Sequence, residues 1–211
     1  MSWVVVLTRI SIQIVGLICV FALILLLPGC WVISINPLYE EGGGDLFHKD
    51  PDVVFESSVL GSWTVEGDKC TAPVTITSED SNVYELERKG DGEGCTESDK
   101  PSRHQGRLVK LDGHYFFDIS PVEHDVCDMC LAEHNIFLMK FDKNSFSLVP
   151  IDSDWLKKAI TSKKVKLATL GGDTDTITAS SKDLKAFCRR YAADKAAFKA
   201  DANHGDTFLR K

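Results

Sequence analysis

Arg107-Leu108-Val109-Lys110-Leu111-Asp112-Gly113-His114-Tyr115-Phe116-Phe117-Asp118-Ile119 is the stretch that decides the fold. Two strand-like runs, Arg107 to Leu111 and His114 to Ile119, flank Asp112-Gly113, the strongest two-residue hairpin signal in the chain. The pattern repeats on both sides. Upstream, Trp63 to Glu66, Val74 to Thr77 and Val83 to Glu87 read as strands, followed by a Gly-rich polar loop from Gly90 to Ser102. Downstream, Asn135 to Phe141 and Phe146 to Pro150 flank Lys143-Asn144. Val165 to Thr169 and Thr174 to Ala179 then flank Gly171-Gly172. Short strands joined by local turns make a mainly β (α+β) chain, an antiparallel meander closed or nearly closed into a barrel.

Two helices interrupt the strands. Asp152 or Ser153 can cap a short inserted helix carrying Trp155, Leu156, Ala159 and Ile160. Ser180 or Ser181 can cap a longer one, with Asp183 in the first turn favouring its dipole. There Leu184, Phe187, Cys188 and Tyr191 recur at helical spacing, and Phe198 prolongs the stripe. The spacing predicts a helix from Ser181 to about Lys199, packed on the outside of the barrel. The tail, 201–211, shows no periodicity.

The first residues have a different character. Met1 to Gly29 holds Arg9 as its one charged side chain, and Ile10 to Leu27 is almost wholly apolar. The run ends in Leu26-Leu27-Pro28-Gly29-Cys30, which reads as a lipobox: 1–29 a cleaved signal, Cys30 the lipidated first residue of the mature chain. The alternative is an uncleaved membrane helix, since about 18 apolar residues span a bilayer. Both readings put the rest outside the cytoplasm, anchored to a membrane. Trp31, not Asp, follows Cys30, which resembles the sorting pattern of Gram-negative lipoproteins bound for the outer membrane. Asn36-Pro37 and Gly42-Gly43-Gly44 make 30–52 a flexible lipidated tether, with the barrel and its packed helix spanning 53–200.

Charge narrows the partners. The 211-residue chain carries a formal charge of -7. Nucleic-acid binders need a basic face, so nucleic acid is not expected as a partner. Electrostatic docking on anionic lipid heads is disfavoured too, which leaves the N-terminal lipid or helix to hold the membrane.

Gly61-Ser62-Trp63 opens the first strand and is similar to the Gly-x-Trp of lipocalins, whose indole closes the bottom of the barrel. The order of barrel and helix is similar as well. The sequence assigns no basic residue to pack on Trp63. A wider resemblance rests on Gly29-Cys30-Trp31, Ser34-Ile35-Asn36-Pro37-Leu38-Tyr39, Leu60-Gly61-Ser62-Trp63 and Asp152-Ser153-Asp154-Trp155-Leu156. Together these resemble a group of uncharacterised bacterial lipoproteins. That resemblance implies a membrane anchor in the bacterial cell envelope and a small lipocalin-like barrel, and no activity.

Seven cysteines are present. In an exported chain, Cys70, Cys95, Cys127, Cys130 and Cys188 are disulfide candidates first. Cys70 and Cys95 bracket the hairpin from Val74 to Glu87 and are expected to pair. Cys127 and Cys130 are expected to pair with each other or with Cys188. The segment around them, His124-x2-Cys127-x2-Cys130-x3-His134, also holds zinc-type ligands, but crowded onto one short stretch. Asp125, Asp128 and Glu133 beside the thiols oppose the lowered thiol pKa that redox chemistry needs. Neither a Gly-x-Ser-x-Gly elbow, a phosphate-binding glycine loop nor a His-Glu-x-x-His is found. The expectation is a non-catalytic binding module without a cofactor, for a small apolar ligand or an envelope partner. A structural protein with a filled barrel is the second reading. A zinc- or thiol-dependent protein using residues 124–134 is the third.

Overall fold

The computed structural model of the chain describes residues 32–40, 50–80, 82–96, 101–122, 133–142, 144–171, 173–199 and 206–211. In chain order the elements are β1 (Ile33–Ser34), β2 (Val53–Val54), β3 (Gly61–Val65), β4 (Val74–Asp80), β5 (Val83–Arg88), β6 (Ser102–Leu111), β7 (His114–Pro121), β8 (Asn135–Phe141) and β9 (Ser145–Pro150). Then come α1 (Ser153–Thr161), β10 (Thr169–Leu170), β11 (Asp173–Ile177), α2 (Ser181–Tyr191) and β12 (Asp206–Arg210). Strands β3 to β9 form an antiparallel meander. β12 enters between β9 and β3 and closes an 8-strand barrel. The mainly β architecture expected from the turn signals is therefore the one found.

The β6–β7 hairpin turns where the sequence says it should. Asp112 (φ 49°) and Gly113 (φ 85°) both take positive φ, the type I′ geometry whose twist matches that of the strands it joins. Pairing runs from Leu111↔His114 to His104↔Pro121 without a slip. β6 is long enough to hold β5 along Ser102–Gly106 and then β2 at Leu108 and Val109 on the same edge.

Alternation along the strands sorts the apolar residues into two cores. One takes Trp63, Ile76, Tyr84, Leu108, Phe117, Phe137, Phe146 and Phe208, with a contribution from every barrel strand, and is the barrel interior. The other takes Val109, Phe116, Leu138 and Val149 from the opposite face of β6 to β9 and covers them with Leu156 of α1 and Leu184, Phe187 and Tyr191 of α2. The inserted helix is capped by Asp152, whose side chain accepts from the Trp155 N–H at 2.7 Å. α2 is capped by Ser180, which accepts from the Asp183 N–H at 3.2 Å.

Four expectations need correction. The tail at 201–211 is not outside the domain, because its Asp206–Arg210 is the closing strand β12, with Phe208 pointing its ring into the interior core. One buried residue in five is too short a pattern to register as periodicity. The stretch 30–52 is not wholly a loose tether. Within it Val32, Ser34 and Leu38 are buried and β1 pairs in parallel with β11. The glycine run at 42–44 lies outside the described residues. The hairpin around Gly171 exists but stays out of the barrel. β1, β11 and β10 form a separate 3-stranded sheet, and Val165 and Leu167 enter the helix-side core without strand pairing. Finally, α2 ends at Tyr191, not near Lys199. Asp194 accepts from the Ala196 N–H through its side chain and starts a turn, so Phe198 reaches the same core by another path and bridges Ile151.

Cys70 and Cys95 form a disulfide, as their bracketing of the β4–β5 hairpin led us to expect. Closing a loop across a sequence separation of 25 stabilises by about 3 kcal/mol in the chain-entropy account.

The start of the domain is pinned by a buried ion-pair group. Lys185 Nζ donates to both carboxylate oxygens of Asp50, at 2.7 and 2.6 Å, and to Asp52 at 2.8 Å. Arg189 adds a bond to Asp52 at 3.0 Å. Burial opposes the charge on Asp50. The Lys185 bond and the backbone N–H groups of Glu40 and Asp52 outweigh it and hold the carboxyl below its ordinary range. Burial likewise opposes the Lys185 charge, and the two aspartates override it and raise the ammonium.

Two predictions follow from these contacts. A Cβ on Gly106 would lie 2.5 Å from the Phe117 ring, so Gly106→Ala should overpack the barrel and lose about 1–3 kcal/mol in urea unfolding. Lys185→Met should cost about 3–5 kcal/mol near neutrality, because it strands the buried Asp50 charge. The lowered carboxyl supplies stability above about pH 4 that is lost as pH falls through its folded value. The gap between wild type and Lys185→Met should therefore narrow on acidification, read as urea midpoints between neutral and acid pH.

Candidate functional site

The barrel interior is occupied by its own rings. Trp63 meets Phe146 edge-on at 4.7 Å between centroids, and Phe146 stacks on Phe208 at 4.6 Å. Tyr84 meets Phe117 edge-on at 5.5 Å. Trp63 donates its indole N–H to the Val59 carbonyl at 2.9 Å and is 2 % exposed. The cation that the sequence did not assign to it is Arg210 of β12. Its guanidinium lies 4.4 Å from the Trp63 ring centroid and donates to the Ser58 carbonyl at 2.7 Å. Trp63 and Arg210 thus hold each other by stacking, and both bond to the backbone at 58–59. Their distance along the chain hid the pair from sequence reading.

The helix side of the barrel holds the one described imidazole from the cysteine–histidine segment. His134 donates from Nδ1 to Asp118 Oδ1 at 2.8 Å, and the Leu38 N–H donates to Asp118 Oδ2 at 2.6 Å. Both side chains are buried, and Ser34 and His134 exchange backbone bonds across β1. Through these bonds His134 ties residues 34–38 to β7. Its zinc-ligand partners in the sequence reading, His124, Cys127 and Cys130, lie outside the described residues, as does Cys30. Among the described residues no group of three or more His, Cys, Asp or Glu side chains could hold a metal.

Cys188 is a free thiol, not the disulfide partner the sequence offered. It is fully buried on α2. Burial drives its pKa far above the ordinary thiol range, and the negative charge of Asp118 pushes it further, against a smaller opposing effect of Arg189.

A concavity among the described residues lies outside the barrel. It is a groove of about 420 Å³ between the connection 163–167 and α2. Val165, Leu167, Phe187 and Tyr191 form its buried floor, and Lys163, Lys164, Lys166 and Arg190 stand exposed around it. Lys164 sits over the faces of Trp155 and Tyr191, at 5.1 and 5.6 Å, and pairs with Asp194 at 3.6 Å. Arg190 lies 5.4 Å from the Tyr191 centroid. The groove was missed because its basic rim comes from a short run, Ser162-Lys163-Lys164-Val165-Lys166, that reads alone as a solvated turn. Only α2 supplies the opposite wall.

No family model, no curated protein and no solved structure matches this chain. Among the described residues no helix is long and apolar enough to cross a membrane.

The sealed thiol gives a direct test. In the native protein Cys188 should resist alkylation by iodoacetamide and should label fully in denaturant, as mapped by peptide mass spectrometry. Rapid native labelling of Cys188 would contradict its burial.

Proposed function

We propose that this chain is a non-catalytic interaction protein of the bacterial cell envelope, anchored through Cys30 or an N-terminal helix, with its filled barrel as a rigid scaffold. The observation that carries the reading is the interior packed with Trp63, Tyr84, Phe117, Phe137, Phe146 and Phe208. A small apolar ligand inside the barrel would have to displace one of these rings. This favours an envelope partner met on the outer surface over a ligand carried within. Further support is chemical. The buried thiol of Cys188 and the Asp118-bound imidazole of His134 are held away from solvent. The anchor rests on the apolar run ending in Gly29-Cys30 and on its resemblance to lipoproteins, with the outer membrane as destination in a Gram-negative cell.

Mass spectrometry of the native protein tests both halves. The expected result is a chain beginning at an acylated Cys30, with no apolar molecule retained in stoichiometric amount. Cys30→Ser should leave an unacylated precursor. A retained Met1 without an acyl group would overturn lipidation, and a tightly held apolar ligand would overturn the filled scaffold.

A further inference from the structure

We infer that the groove between residues 163–167 and α2 is the docking site for an acidic, partly apolar peptide segment of a partner protein. The inference rests on the reading of the domain as an interaction module, and it names the surface and the chemistry that module would use.

The argument begins with charge. The chain as a whole carries -7, yet the groove is lined by Lys163, Lys164, Lys166 and Arg190 against a single carboxylate, Asp183. This is a local inversion of the protein's own field, and it selects a negative ligand. The cations are not equivalent. Lys164 is engaged by Asp194 and by the two aromatic faces. Among the described residues, Lys163, Lys166 and Arg190 have no carboxylate within ion-pair distance. They surround a concave site whose own acids do not neutralise them.

The backbone adds a second observation. Lys163 directly follows the C-cap of α1 at φ 60°, the left-handed region that favours glycine. A lysine there carries a conformational cost, and it adds a cation to the groove.

The floor decides among anions. Val165, Leu167, Phe187 and Tyr191 offer apolar contact, which a bare phosphate does not use and which a peptide bearing an apolar side chain between acidic ones does. The volume of about 420 Å³ lies in the range of binding clefts, roughly 300–1,000 Å³. The net charge of -7 on the chain opposes the approach of a whole anionic bilayer more than that of a short peptide, so a membrane is the less favoured occupant.

The test uses the full chain in detergent micelles and a fluorescein-labelled, glutamate-rich peptide with a central leucine pair. Fluorescence anisotropy should show binding that weakens as salt rises. Lys163→Gly combined with Lys166→Ser should weaken it about tenfold or more. Both positions are exposed, and Lys163→Gly suits the backbone there, so the variant should keep its thermal midpoint. Lys166→Arg should bind as wild type does. Equal binding by wild type and the double variant would overturn the proposal. So would displacement of the peptide by inorganic phosphate at matching concentration, or capture by phosphatidylglycerol vesicles with no peptide binding. Any of these, found with a protein still acylated at Cys30 and free of ligand in its barrel, would remove the groove and leave the scaffold reading standing.

Discussion

The structure depends on closure of the barrel by β12. An open sheet of seven strands would leave two unpaired edges and a half-covered aromatic core. β12 pairs with β3 through Phe208↔Val65 and with β9 through Phe208↔Phe146, so one short strand satisfies both edges. Its side chains divide the work. Phe208 stacks on Phe146 inside, and Arg210 covers the Trp63 ring. The interior rings hold their positions only because the ring of strands is complete.

The outer core depends on buried charges that are used as connectors. Asp118 accepts from the Leu38 N–H and from His134, and thereby fixes the segment 32–40 against β7. Lys185 does the same for Asp50 and Asp52 from the side of α2. The Lys185 and Asp50 charges are paired and hydrogen-bonded, the condition under which burial of a charge is tolerated. These links set the position of α2, and α2 is one wall of the basic groove. The groove therefore rests on residues outside it that sequence reading would not have joined to it.

The barrel was legible because its signals are local. Asp112-Gly113, the alternation on either side of it and the Asp152 and Ser180 caps each act over a few residues. What stayed hidden is non-local. Phe208 is one inward residue on a short strand. Arg210 and Trp63 meet only through closure. Asp118 reads as a polar residue in a strand until Leu38 and His134 reach it. The site was less legible than the fold for the same reason. Cysteines and histidines drew attention to 124–134, of which only His134 among the four candidates is described, bound to Asp118, and the cationic cleft is assembled from two segments that each look ordinary. Cys188 misled in a different way. Its place in the apolar stripe was read correctly, but a small buried thiol packs well as a hydrophobe and needs no disulfide.

Closure by β12 also has a kinetic side. The bond from Thr64 to Leu209 spans 145 residues of sequence, so the last seam of the barrel carries a large loop-closure entropy. Folding should be slow for the size of the domain, since pairings this distant raise contact order. Until residue 210 has been delivered, β3 and β9 have no partner between them and the ring of aromatics cannot seal. A chain threaded through a translocase from its N-terminus would consequently remain extensible throughout the passage, and would commit to its compact form only after the whole barrel sequence had crossed.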